Sequence, residues 1–147
     1  AAALRSLARR ADASSVAEIA GLALAQAGSQ TMYDAIHALS RAGNPEAHSA
    51  LMELTRHPSA RAASIGAIAG MGFDAAATIT RALEASDEEI RHAAVEALAR
   101  MKDPRATALL SSALSDASAR VRTAAAQALA RLDLHQTSVL RSEPAVG

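Results

Sequence analysis

Residues 87–101 read DEEIRHAAVEALARM, and residues 117–132 read ASARVRTAAAQALARL. The second stretch repeats the first with a shift of 31: Ile90-Arg91 falls on Val121-Arg122, and Ala94, Leu98, Arg100 and Met101 fall on Ala125, Leu129, Arg131 and Leu132. Moving back 30 places Arg91 on Arg61, Leu98 on Ile68 and Met101 on Met71, within PSARAASIGAIAGMG. A further 29 puts Ile68 on Leu39 and Gly70 on Arg41, and a last 32 reaches Leu7 and Arg9 in ALRSLARR. One helix is therefore written five times, the first copy partial and the second diverged. A period near thirty marks a repeat architecture, in which each unit hides its apolar face against its neighbours.

Between the copies lies a second helical unit with its own start signals. DPRATALLSSALSD, NPEAHSALMELTRH, FDAAATITRALEAS and DASSVAEIAGLALAQAG each precede a copy. Asp103-Pro104 and Asn44-Pro45 read as an N-cap followed by Pro at the first helical position, where no N–H is needed. Gly28, Gly43 and Gly72 fall just past helix ends, where a left-handed residue is wanted. Ala106, Leu109, Leu110, Ala113 and Leu114 have the spacing of an amphipathic helix. The expected fold is all-α, an α-solenoid of about four full helix pairs near 13–42, 45–71, 74–101 and 104–132. A partial helix at 1–10 completes one solenoid domain over 1–134, and 135–147 forms a further partial helix and tail.

Composition agrees with this and narrows the function. Half of the 147 residues are apolar, yet aromatics are 1% and Trp is absent, while Ala alone exceeds a quarter of the chain. Small side chains suit closely packed helices, and Ala has the best helix propensity. The β-branched and aromatic runs of strands are missing. Formal charge is zero, and Lys102 is the only Lys beside fourteen Arg. A general nucleic-acid binder carries a basic excess, so nucleic acid is not an expected partner. With no Cys there are no disulfides and no thiolate metal sites. The most apolar window, ASIGAIAGMGFDAAATI, is short and interrupted by Asp74, which argues against a membrane span. Neither a signal-peptide layout nor a starting Met is present. The sequence leaves the compartment open, with the cytoplasm as the default expectation.

These residues resemble a known family. DPRATALLSSALSDASARVRTAAAQALARL is similar to a HEAT repeat of the short bacterial type also found in phycobilisome lyase proteins, with its Asp-Pro-Arg, Asp, Val-Arg and Ala-Leu landmarks. The match is close over 87–132, fair over 45–86 and weak before 45. The resemblance implies a right-handed solenoid whose Val-Arg helices line the concave face, with an Asp before each such helix bonding to Arg as a ladder between repeats. Arg61, Arg91, Asp116 and Arg122 are the ladder positions here, and Asp116 with Arg122 fits that pattern. Ala85 and Thr55 stand where the other ladder acids would be, so Arg91 is expected to lean on Asp87 or Glu88, and Arg61 has no obvious partner. An Arg in the first turn of a helix opposes the positive end of its dipole, so an anion is expected nearby. Arg9, Arg41, Arg100 and Arg131, at expected helix C-termini, read as structural.

No constellation for chemistry emerges. His37, His48, His57, His92 and His135 show neither His-x-x-x-His nor His-Glu-x-x-His spacing, so no metal site is expected. GAIAGMG lacks a phosphate-loop ending, and Gly66 and Gly70 more simply mark a close helix crossing or a shallow spot. What remains is a surface. Tyr33, Ala62, His92 and Thr123 form one column on the Val-Arg helices, and His37, Gly66, Glu96 and Gln127 form the next. Tyr33, His37, His92, Glu96, Thr123 and Gln127 are the candidate partner-binding residues, because these columns vary while the core columns keep Ala and Leu. The expected function is a non-enzymatic protein-binding or scaffold module without cofactor, whose partner is another protein or the remainder of a longer chain. Self-association is a further expectation, since Leu4, Leu7, Leu132, Val139 and Leu140 would face an absent neighbour. A bilin-lyase-like subunit handling an open-chain tetrapyrrole is one alternative, and a HEAT-like DNA-binding or glycosylase solenoid another. The scarcity of aromatics counts against both.

Overall fold

Helix starts in this chain are set by short polar side chains. The computed structural model describes the backbone of residues 12–142 and the side chains of 12 and 14–134. It contains helices α1 (Ala13–Ala25), α2 (Gln30–Ala42), α3 (Pro45–Leu54), α4 (Pro58–Gly70), α5 (Ala76–Leu83), α6 (Glu88–Met101), α7 (Ala106–Ala113) and α8 (Ala119–Ser142), with a 3-10 turn at Gly72–Ala75 before α5. Asp12 accepts from the Ser15 N–H at 2.7 Å, Asn44 from Ala47 at 2.8 Å, and Asp87 from Glu89 at 2.8 Å. Each bond satisfies an amide the helix itself leaves free, worth about 1 kcal/mol per cap. Pro45 and Pro58 open α3 and α4 at positions that need no donor.

Helix ends use the left-handed region. Gly28, Gly43 and Gly72 have φ of 77°, 68° and 63°, and Lys102 takes the same conformation at 53°. Gly43, Gly72 and Lys102 are equivalent positions of successive repeats, each closing an even-numbered helix. In the next copy that position is Asp133, and α8 runs straight through it to Ser142. The expected break near 134, with a separate partial helix after it, is thus replaced by one continuous helix. Asp103-Pro104 also departs from expectation. It forms a turn, with Asp103 accepting from the Arg105 N–H at 2.9 Å, and α7 begins only at Ala106.

The helices pack as two rows. Even-numbered helices touch in order, α2 on α4, α4 on α6, α6 on α8, while α1, α3 and α5 form a second row and α7 packs on α6 and α8. The chain is an all-α helical repeat solenoid. Its core follows the repeat: Ala35, Ser64, Ala94 and Ala125 are one column, each fully buried, and Leu39, Ile68 and Leu98 are the next, equally buried. Small residues at the first column let helices approach closely, and the larger ones beside them fill the space. Ser64 is the single polar member of its column, and its hydroxyl is buried without a hydrogen-bond partner. Leu132 is buried too, at 4% exposure, instead of facing an absent neighbour. Leu4, Leu7 and the helix expected at 1–10 lie outside the described residues, as do the side chains of Val139 and Leu140. No single described helix is long and apolar enough to cross a membrane. Pro58–Gly70 and Gly72–Leu83 reach that length and composition only as a pair, and they are bent by 114°.

Candidate binding face

Residues that separate the core columns of the even helices come to the surface together. Positions 33, 37 and 41 step one turn at a time along α2, and 62, 66 and 70, then 92, 96 and 100, then 123, 127 and 131 do the same on α4, α6 and α8. Tyr33, His37, Arg41, Ala62, Gly66, Gly70, Arg100, Thr123, Gln127 and Arg131 are exposed, while His92 and Glu96 are half-buried. A Cβ added at Gly70 would meet nothing within 4 Å, and one at Gly66 only the Arg100 Nη1 at 3.7 Å. These glycines therefore make a shallow spot, not a close crossing of backbones.

Two grooves run between neighbouring even helices on this face. The first, a cavity of about 520 Å³ between α2 and α4, brings Tyr33 and His37 together over Ala63, Ala67, Gly70 and Met71. The second, about 620 Å³ between α6 and α8, gathers His92, Glu96 and Gln127 with Arg100 and Arg131. Thr123 lines neither, although it lies on the same helix face.

Ion pairs tie the even row at the N-terminal ends of its helices. Arg91 Nε donates to the Asp116 carboxylate at 3.0 Å, and these side chains are 16% and 10% exposed. Asp116 therefore reaches back to the Arg of the preceding repeat, and not to Arg122 or, from the Arg91 side, to Asp87 or Glu88. The offset between adjacent helices decides this, since residue 116 follows α7 and so abuts the start of α6. Burial pulls the Asp116 carboxyl upward, but the Ser118 N–H, the hydrogen bonds from Arg91 and the charges of Arg91 and Arg122 outweigh it and hold the group below its usual range.

The dipole conflict is resolved by backbone. Arg61, Arg91 and Arg122 each donate from Nη1 to the carbonyl six residues earlier, Thr55 at 3.1 Å, Ala85 at 2.9 Å and Asp116 at 2.7 Å. Those carbonyls sit just beyond the C-terminal ends of α3, α5 and α7, where a cation is favoured and acceptors are left over. One guanidinium thereby closes the preceding odd helix while starting its own. Spacing alone could have pointed to this, because the six-residue interval recurs in all three copies.

Arg61, expected to lack a partner, has several. Its Nη1 lies 2.8 Å from Glu89 Oε2, and the other Glu89 oxygen takes Arg120 Nη1 at 2.6 Å, so one carboxylate links α4, α6 and α8. The hydrogen bond from Arg120 is the main reason the Glu89 carboxyl stays below its usual range. His92 Nδ1 sits 2.8 Å from Arg61 Nη2 and 2.9 Å from Glu96 Oε1. A single nitrogen cannot accept from one and donate to the other, so the two contacts belong to different tautomers or protonation states of the ring. Burial, joined by the charge of Arg120, pushes the His92 pKa down.

Arg131 is mid-helix, since α8 continues past it, and the dipole explanation fails there. On the odd side, Arg105 bonds Asp103 at 2.6 Å and stacks 4.4 Å from the Phe73 ring centroid. No group of three or more potential metal ligands occurs among the described residues. Residues 55–130, just over half of the chain, match the family model described as HEAT repeats. No curated protein matches the chain.

Proposed function

We propose a function from a fixed premise: the chain belongs to the HEAT-repeat family. Such repeats generally mediate protein–protein interaction or scaffolding. Our reading is that this chain is a non-enzymatic binding module whose partner protein lies along the even-helix face. The observation that carries it is the pair of open grooves on one face, where exposed side chains such as Tyr33, His37, Gln127 and Arg131 border apolar floors. Tyr33 is exposed in the first groove, and aromatic side chains are enriched as interface anchors. The short bacterial form of the repeat is supported by Asp103-Pro104-Arg105 and by Asp116 ahead of Val121-Arg122.

Site-specific photo-cross-linking tests the reading. A cross-linking residue at His37 or Thr123 should capture the partner in cells, while one at Glu18 on α1 or Glu53 on α3, in the odd row, should not. Capture from the odd row alone would reverse the assignment of the binding face.

A further inference from the structure

We infer that the groove between α6 and α8 takes a protein segment in which carboxylates flank apolar side chains. This rests on the protein-binding reading and adds the partner's chemistry. The floor of the groove is apolar, formed by Val95, Ala99, Ala124 and Leu132. Its rim carries three cations, Arg100, Lys102 and Arg131, none of which makes an ion pair with a described residue. Every other described Arg of α4, α6 and the start of α8 is engaged: Arg61 by Glu89, Arg91 by Asp116, Arg120 by Glu89, and Arg122 by the carbonyls of Asp116 and Ala117.

Helix dipoles account for only part of the unpaired charge. Arg100 and Lys102 end α6, where a cation is favoured, but Arg131 lies in the middle of a continuous helix. Arg100 meets no anion among the described residues, its Nη1 lying over the space that Gly66 leaves empty. Glu96, at the other end of the groove, already has a cation beside it, with Arg61 Nη2 3.9 Å from its Oε1 and His92 Nδ1 at 2.9 Å. The free charge of the groove is therefore positive and sits beside apolar surface. A carboxylate at the rim gains charge-assisted hydrogen bonds, and an apolar side chain next to it displaces water from the floor.

A nucleic-acid backbone fits less well. The net charge of the chain is zero, and neither Tyr33 nor Phe73, its two aromatic residues, lines this groove to stack a base.

Fluorescence anisotropy on the whole chain tests the inference with three labelled synthetic peptides, alternating Leu/Glu, Leu/Lys and Ser/Glu, and a labelled DNA duplex. The Leu/Glu peptide should bind saturably, at least about tenfold tighter than either other peptide and the duplex. Arg100→Glu with Arg131→Glu should weaken it at least about tenfold, Arg100→Gln with Arg131→Gln by less, and Glu18→Gln, on α1 away from this face, not at all. Circular dichroism and melting temperature confirm that each variant is folded. Equal binding of the Leu/Lys peptide or the duplex, no saturable Leu/Glu binding, or insensitivity to both double variants would overturn it. A partner that cross-links at Thr123 yet binds the Arg100→Glu, Arg131→Glu variant at wild-type affinity leaves the protein-binding reading standing and removes this one. Cross-links confined to the odd row remove the broader reading instead.

Discussion

The seam between α2 and α4 and the seam between α6 and α8 share an apolar design and differ in polarity. Both are built on the same alanine column, with Ala35 in one and Ala94 and Ala125 in the other, all fully buried. At the Arg position of the repeat, α2 has Met32, buried at 1%, and the matching acid position holds Thr55, whose hydroxyl turns inward to the Met52 carbonyl. No hydrogen bond or ion pair joins α2 to α4 among the described residues. The middle seam has Arg61 without a ladder acid, since residue 85 is Ala, and Arg61 goes to Glu89 instead. The last seam has both members, Arg91 and Asp116. Apolar packing alone thus suffices to stack two repeats, and the ion pairs at the other seams add contacts that fix how neighbours align. Polar pairs gain little net energy once desolvation is counted, which is why the first seam can do without them.

The largest effect should come from the feature the seams share. Ala94→Leu and Ala35→Leu should each overpack a buried position at a cost of roughly 1 to 3 kcal/mol, read from chemical denaturation. Equal losses in both halves would place stability in the common column, and a loss confined to Ala94 would show that the α2–α4 seam is loose. In the same column Ser64→Ala should stabilise by about 1 kcal/mol, because it removes an unpartnered buried hydroxyl. A melting temperature that falls on this change would break the column assignment.

The ladder should contribute less and only at the last seam. Asp116→Asn and Arg91→Gln should couple by about 1 kcal/mol in a double-mutant cycle, whereas Asp116→Asn and Arg122→Gln should be nearly additive. Ala85→Asp offers Arg61 the missing carboxylate and should add no more than about 1 kcal/mol. Additivity in the first cycle would leave the two seams differing in appearance alone.

The smallest effect is on pH dependence. His48 in α3 and His92 in α6 both have pKa values pushed below the usual 6.5, chiefly by burial. Each folded ring resists a proton that the unfolded chain accepts, so their contribution is full above about pH 6.5 and is lost as pH falls towards the folded values. The Asp116 carboxyl, held below 3.8, contributes above that value and loses its contribution as pH falls through its lower folded pKa. Melting curves at graded pH should therefore show two separate declines. His92→Gln should flatten the first, and Asp116→Asn the second.

Helix pairing, repeat length, the buried alanine column and the glycine stops at 28, 43 and 72 were legible in the residues, because each depends on a few neighbours along the chain or on a period that sequence displays. The same period identified which residues line the even-helix face. It could not choose the partner of Asp116, since Arg91 and Arg122 stand in equivalent positions and only the offset between stacked helices brings one of them near. It did not show that α8 continues past Asp133, where no glycine stops it, and so could not see that Arg131 loses its helix end or that Leu132 is covered. Local propensity and spacing therefore determined the repeat. The tertiary structure decided what each charged side chain meets, because Coulomb and hydrogen-bond contacts act across seams whose geometry is set by packing and not by distance along the chain.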